Sequence, residues 1–163
     1  FDEICLPNPR NTTPKLCYEF IKKYGVKVKR GGLFYYGDPS GRKRDTRQNE
    51  HDYKIIKRIL SKYLNNNSDR VPYKHPPVLK RKDFANNIFE GVYKDIEFIV
   101  DSKCKKSIAD FEFLKEDING KKSKEKTTDP VTKAVYEKYG HTSDSYDYFI
   151  TEALKRKFKQ EMK

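Results

Sequence analysis

The chain has 163 residues, with 36 Lys and Arg against 24 Asp and Glu and a formal net charge of +12. The length suits one domain with a real core. No run approaches the roughly 20 apolar residues that cross a bilayer, so no membrane partner is expected. The charge favours a polyanion, nucleic acid first.

Hydrophobic residues make up 35% and charged residues 37%, so the core is modest. With 12 Tyr and 10 Phe, much of it must be aromatic. Cys5, Cys17 and Cys104 are odd in number and widely spaced. That spacing argues against a zinc ribbon or a disulfide framework, and for buried, reduced thiols in an intracellular protein. No signal peptide is visible. The first residue is Phe1, not Met, so the chain is expected to be a piece of something longer, with Phe1 inside a cut element.

In chain order, Glu3 to Leu6 reads as an edge strand and Asn8-Pro9 as a turn. Thr12 or Thr13 caps a first helix with Pro14 in its first turn. Leu16, Cys17, Phe20, Ile21 and Tyr24 give it one apolar face, and Gly25 ends it. Gly31-Gly32 lead into Leu33 to Tyr36, good strand formers that stop at Asp38 before the turn Pro39-Ser40-Gly41. Alone, Asp38 reads either as the cap of that turn or as a carboxylate at the carboxyl end of a strand, where open α/β sheets keep their crevices. Gly41 to His51 is a charged surface loop, and Arg42, Lys43 and Arg44 in it are candidate phosphate contacts.

Asp52 caps a second helix with Tyr53, Ile56, Ile59, Leu60 and Tyr63 inward, closed by Asn65 to Ser68. Val71 to Tyr73 reads as a short strand, and Asp83 to Glu90 as a short helix with Phe84 and Ile88 inward. Ile96 to Val100 reads as a second strand ending at Asp101, with Ser102 capping a helix through Leu114. Repeated strand, carboxylate and helix suggest a mixed α/β sheet with helices packed on it. Asn119-Gly120 is hairpin turn chemistry. Lys121, Lys122 and Lys124 follow it, as either a solvated run or a DNA contact, and Val131 to Tyr139 supplies a returning strand. The last helix runs from about Thr142 to Gln160, capped by Thr142 or Ser143. Asp144 sits in its first turn and His141 at its mouth, and Asp147 one turn on reads as a helix-face residue, with a metal role as the less favoured alternative.

Gly140-His141-x-x-Asp144, leading into an apolar helix with Tyr148, resembles the last acidic motif of phage terminase large-subunit nuclease domains. Tyr36-Gly37-Asp38-Pro39-Ser40-Gly41 is similar to their middle acidic motif. Asp83 to Gly91 and Ile96 to Ile108, with Cys104, look like the segments between. The resemblance covers nearly the whole chain.

It implies a ribonuclease H-like mixed sheet flanked by helices, lacking its first strand, over residues 1–163 as a single nuclease domain. It implies a Mg²⁺- or Mn²⁺-dependent endonuclease that cuts concatemeric double-stranded DNA during genome packaging. Asp38 and Asp144 would be ligands converging on shared metal ions, with His141 beside them as a ligand, an orienting group or a phosphate contact. In the preferred register Asp38 is the second family acid and the first lies before Phe1. In the other, Asp38 is the first and Asp101 the second. The resemblance further implies a terminase small subunit and a portal as partners, and the host bacterial cytoplasm as the setting. The chain has no GxxxxGK[ST] run, so the packaging ATPase belongs to other sequence. Two rivals remain: a non-catalytic basic DNA-binding module, and another ribonuclease H-like enzyme such as a resolvase or transposase.

Overall fold

The structure is a computed structural model describing residues 1–7, 10–43 and 50–162. The protein is a mixed α/β chain of helices and small two-stranded sheets. It divides into two compact units, Ile4–Lys74 and Phe1–Glu3 with His75–Lys163. We call them the N-terminal and C-terminal units. Their charge is unequal. The N-terminal unit has 17 Lys and Arg against 6 Asp and Glu, a net +11, and the C-terminal unit has 19 against 18, a net +1.

The N-terminal unit is built on a helix pair. Helix α1 spans Thr13–Gly31 and α2 spans Asp52–Tyr63. Cys17 and Ile21 of α1 pack on Ile55 and Ile59 of α2. Each buried Ile contributes about 1.5–3 kcal/mol relative to exposure. The α1 helix runs straight through Gly25, which is buried, and stops where Gly32 takes φ +82°. Packing on α2 outweighs the roughly 1 kcal/mol cost of a mid-helix glycine. The α2 cap is His51, whose Nδ1 accepts the Lys54 N–H at 3.2 Å, rather than Asp52.

Strand β1 is shorter than its sequence suggests, Leu33–Tyr35, and pairs in parallel with β2, Asn67–Asp69. Asn67 and Ser68, expected only to close α2, are therefore strand together with Asp69, while Val71 to Tyr73 is not. Asn67 helps by donating from its side chain to the Leu64 carbonyl at 3.0 Å, which turns the chain out of α2 and alongside β1.

In the C-terminal unit, helix α3 (Val78–Phe89) begins directly after Pro76-Pro77, earlier than expected. Ile96 to Val100, expected to be a strand, joins no sheet among the described residues. Its residues alternate half-buried and exposed, and its only long-range backbone bonds among the described residues are with Phe1. The Phe1 amino group donates to the Ile99 carbonyl at 2.8 Å, and the Asp101 N–H just beyond donates to the Phe1 carbonyl at 3.1 Å.

Helix α4 spans Lys105–Phe113. Its free N–H groups go to Glu3 rather than to Ser102, with Ser107 donating from N–H at 2.9 Å and from its hydroxyl at 2.5 Å. Glu3 is thus a helix cap, not part of an edge strand.

Strands β3 (Lys115–Glu116) and β4 (Lys122–Ser123) form the expected hairpin around Gly120 at φ +74°. Strands β5 (Lys126–Thr128) and β6 (Val135–Glu137) form a second one. The terminal helix is broken at Leu154 into α5 (His141–Ala153) and α6 (Lys155–Glu161). Phe84, Ile88, Tyr146, Ile150 and Phe158 make the core of this unit. Aromatic rings continue it: Tyr146 stacks on Phe89 at 5.4 Å and lies 4.5 Å from Phe98, centroid to centroid. The core is therefore aromatic, as composition implies.

Candidate functional site

The start of α5 gathers the charged chemistry of the C-terminal unit. Gly140 precedes the helix at φ +110°, a left-handed conformation that glycine adopts without strain. No side chain of α5 itself caps it through Thr142 or Ser143. The cap comes from α4: the buried Asp110 carboxylate accepts the Ser143 N–H at 2.7 Å and, more closely, the Gly140 N–H. An anion at a helix N-terminus is stabilised by the unpaired N–H groups and the helix dipole.

One turn into α5, Asp144 and Asp147 face the same cations. Lys122 Nζ, on β4, lies 2.7 Å from Asp147 and 3.3 Å from Asp144. Lys124 Nζ lies 2.9 Å from Asp144 and 3.0 Å from Glu137. Arg81, on α3, lies 3.6 Å from Asp147 and 3.8 Å from Asp144, and its guanidinium sits 4.7 Å from the centre of the Tyr148 ring. Arg81 is buried, and its Nε and Nη1 have no hydrogen-bond partner among the described residues. Tyr148 and His75 Nδ1 are 2.9 Å apart. A cavity of about 200 Å³ adjoins the cluster, with Lys122, Asp147 and Ser143 on one side and Phe89, Phe111 and Tyr146 on another.

The two acids differ electrostatically. Burial pushes Asp147 up to about 6, against the pull of Lys122 and Arg81. Burial also pushes Asp144 up, but the Lys124 hydrogen bond and the charges of Lys122, Lys124 and Arg81 outweigh it, holding Asp144 below the ordinary carboxylate range. Two carboxylates one turn apart with separated proton affinities are an arrangement found at reactive sites and at structural ion clusters alike.

Asp147, read from sequence as a helix-face residue, is 2% exposed. Its place was readable in the alternation around it, because Tyr146 and Ile150 enclose it on the buried stripe. Asp110 and Arg81 were missed altogether. Asp110 falls among apolar positions of α4, a polar residue where a core residue was due. His141 is exposed and its side chain takes no part in the cluster among the described residues. Asp101 is exposed as well, and its carboxylate accepts only the Lys103 N–H, at 2.9 Å, in a local turn.

In the N-terminal unit, Asp38 lies three residues beyond β1. Its Oδ1 accepts the Ser40 N–H at 2.7 Å, capping the 3-10 turn Pro39–Arg42. Its carbonyl accepts the Tyr53 hydroxyl at 2.8 Å, and the Tyr53 ring passes against Gly37 and Gly41.

Three of the six cations singled out as DNA contacts have internal partners. Arg42 binds Asp69 at 2.9 Å and the Val71 carbonyl at 3.1 Å, joining the 3-10 turn to β2. Lys122 and Lys124 are held by the acid cluster. Lys43 and Lys121 are exposed. Arg44 lies outside the described residues. No group of three or more His, Cys, Asp or Glu side chains stands together as a metal-holding set among the described residues, nor is any described helix long and apolar enough to cross a membrane.

No family model, curated protein or solved structure matches this chain. The class that fold and site define is therefore a mixed α/β protein with a buried acid–base cluster at a helix N-terminus.

Proposed function

We propose that the protein is a divalent-metal-dependent DNA endonuclease of the phage terminase type, with a ribonuclease H-like ancestry and work in the host bacterial cytoplasm beside a terminase small subunit and portal. The observation that supports it best is the Asp144–Asp147 pair with Arg81 beside it. Hard carboxylate oxygens are the donors Mg²⁺ and Mn²⁺ prefer. The Arg81 guanidinium, 3.6 Å from Asp147 and 3.8 Å from Asp144, places beside the acids a charge of the sign a phosphodiester takes.

The donor chemistry thus fits a metal. Asp144 and Asp147 would hold it; a ligand role for Asp38 rests on the resemblance alone. Such ions supply an activated water and a stabilised leaving oxygen. The chain's own groups do the rest. Lys122 neutralises the acid pair and must swing aside when a metal enters. Arg81 fixes the carboxylates and meets the phosphate. Asp110 holds the helix start on which both acids stand.

The test is conversion of supercoiled plasmid to nicked and linear forms in Mn²⁺ or Mg²⁺. In the preferred register, with the first family acid outside this chain, the wild-type chain should bind metal weakly and nick only slowly, and EDTA should abolish that activity. Asp144→Asn and Asp38→Asn should each lower the rate more than about 100-fold, beyond the 10–100-fold typical of outer-shell partners. Cleavage lost in Asp101→Asn instead would overturn the assignment of Asp38 as the second acid.

A second reading is a basic DNA-binding module in which the cluster is purely architectural. It is favoured by the number of cations already pairing with Asp144 and Asp147. Plasmid left intact in Mn²⁺ by a chain that still binds DNA would select it.

A further inference from the structure

Three of the six cations that the sequence pointed to are neutralised internally, yet the N-terminal unit keeps a net +11. Much of that surplus lies on one helix face. At roughly 100° per residue, Lys15, Lys22, Lys23, Lys27 and Arg30 fall on the half of α1 opposite the buried Cys17 and Gly25, and Lys29 borders it. All six are exposed. One carboxylate, Glu19, shares the face, and it reaches Lys22 only at 3.9 Å. Lys15, Lys27, Lys29 and Arg30 have no ion-pair partner among the described residues. A favourable helix dipole accounts for Lys29 and Arg30 in the last turn, but not for Lys15, Lys22 or Lys23.

We propose that this outward face of α1 is a docking surface for the phosphate backbone of double-stranded DNA. From Lys15 to Arg30 the helix rises about 22 Å, and duplex DNA carries one charge per about 1.7 Å of axis. A rigid row of cations on that scale meets several phosphates at once and releases their counterions. An anionic membrane suits this face less, because the apolar side of α1 is already spent on α2. Single-stranded nucleic acid suits it less too, since Tyr18 is the only exposed aromatic ring of α1 and bases need stacking platforms. The inference stands on charge and exposure alone and needs nothing from the acid cluster.

The test is binding of a fluorescein-labelled 20-base-pair DNA duplex in EDTA, followed by anisotropy across a salt series. The fourfold variant Lys22→Gln, Lys23→Gln, Lys27→Gln, Lys29→Gln keeps good helix formers. It should bind at least tenfold more weakly, with a salt slope shallower by roughly 3–4, at about 0.9 for each phosphate no longer neutralised. The control Lys103→Gln, Lys105→Gln, Lys106→Gln, Lys159→Gln removes the same charge from exposed sites of the C-terminal unit and should bind within threefold of wild type. Should the fourfold variant lose helicity, Lys15→Gln with Lys22→Gln serves, with about half the change in slope. Equal weakening by variant and control overturns the proposal, as does unchanged binding by the α1 variants. Capture by phosphatidylserine vesicles but not by duplex also overturns it. Because the measurement excludes metal, failure of the nuclease reading would show separately, as plasmid left whole in Mn²⁺ by a chain that still binds the duplex.

Discussion

Asp110 and Ser143 are 33 residues apart in sequence, yet the carboxylate of the first accepts the backbone N–H of the second at 2.7 Å, deep in the C-terminal unit. That bond, with its companion to Gly140, fixes the start of α5 and so the direction in which Asp144 and Asp147 project.

Removing it should be costly. Asp110→Ala leaves two buried N–H donors without an acceptor and loses the anion at the helix dipole. A loss of about 2–4 kcal/mol is expected from an unsatisfied buried pair and a lost cap. Urea denaturation followed by far-ultraviolet circular dichroism measures it. A loss under about 0.5 kcal/mol would mean that solvent replaces the cap at no cost.

Asp147 should make stability depend on pH in a defined direction. Its folded proton affinity is raised, to about 6 from 3.8. Between those values the folded state binds more protons than the unfolded one, so Asp147 lowers stability as pH rises through the window. The full effect is about 3 kcal/mol at 1.36 kcal/mol per unit. Asp147→Asn should remove this decline, so the stability difference between variant and wild type changes by up to that amount from about pH 4 to pH 6. Asp144, held low by its lysines, acts oppositely and below this range, losing its contribution as pH falls. Carboxyl carbon NMR of Asp147 across the same range gives the direct reading.

Lys122 bridges both carboxylates, so Lys122→Met leaves them facing Arg81 and Lys124 alone. The proton affinity of Asp147 should rise further. Under the endonuclease reading, a divalent ion should also stabilise the variant more than the wild type, because the competing ammonium is gone. Melting temperature with and without millimolar Mn²⁺ separates the two. An identical metal-induced shift in both proteins would remove Lys122 from any role in metal access.

How far the sequence went differs between the two acid motifs. The helix after Gly140 was legible because Tyr146, Ile150 and Phe158 repeat at helical spacing, and Asp144 followed from that. The break at Leu154 was not, since apolar periodicity continues unbroken across it. The hairpin at Gly120 was legible from turn chemistry, and a strand within Val131 to Tyr139 was expected, but its pairing with Lys126–Thr128 in a second hairpin was not. Strand β2 was hidden, because Asn67-Ser68-Asp69 has poor strand propensity and is extended only through its pairing with β1. The α1 end at Gly31 was hidden for the same kind of reason, with α2 overriding the glycine signal at Gly25. The cap by Asp110 comes from a different helix, and local spacing carries no trace of such a bond.

Tyr53 provides the corresponding test in the N-terminal unit. A methyl group at residue 37 would run into its hydroxyl, which donates to the Asp38 carbonyl. Gly37→Ala should therefore cost about 1–3 kcal/mol through overpacking. Tyr53→Phe should cost about 1 kcal/mol for the lost hydrogen bond. The double variant should be more stable than the sum of the two losses, because the clashing oxygen is absent, and thermal melts of the three variants read this coupling. Simple additivity would mean that the ring does not hold the Asp38 turn.

The uneven sharing of charge also bears on how the protein tolerates its solvent. A unit of 71 residues carrying a net +11 repels itself, whereas its neighbour at +1 scarcely does. Dilute buffer therefore strains the former alone, and added electrolyte relieves it by shielding like charges from one another. Added electrolyte should accordingly strengthen folding in the helix-pair half, whereas the half bearing the acids has no comparable net repulsion for it to relieve.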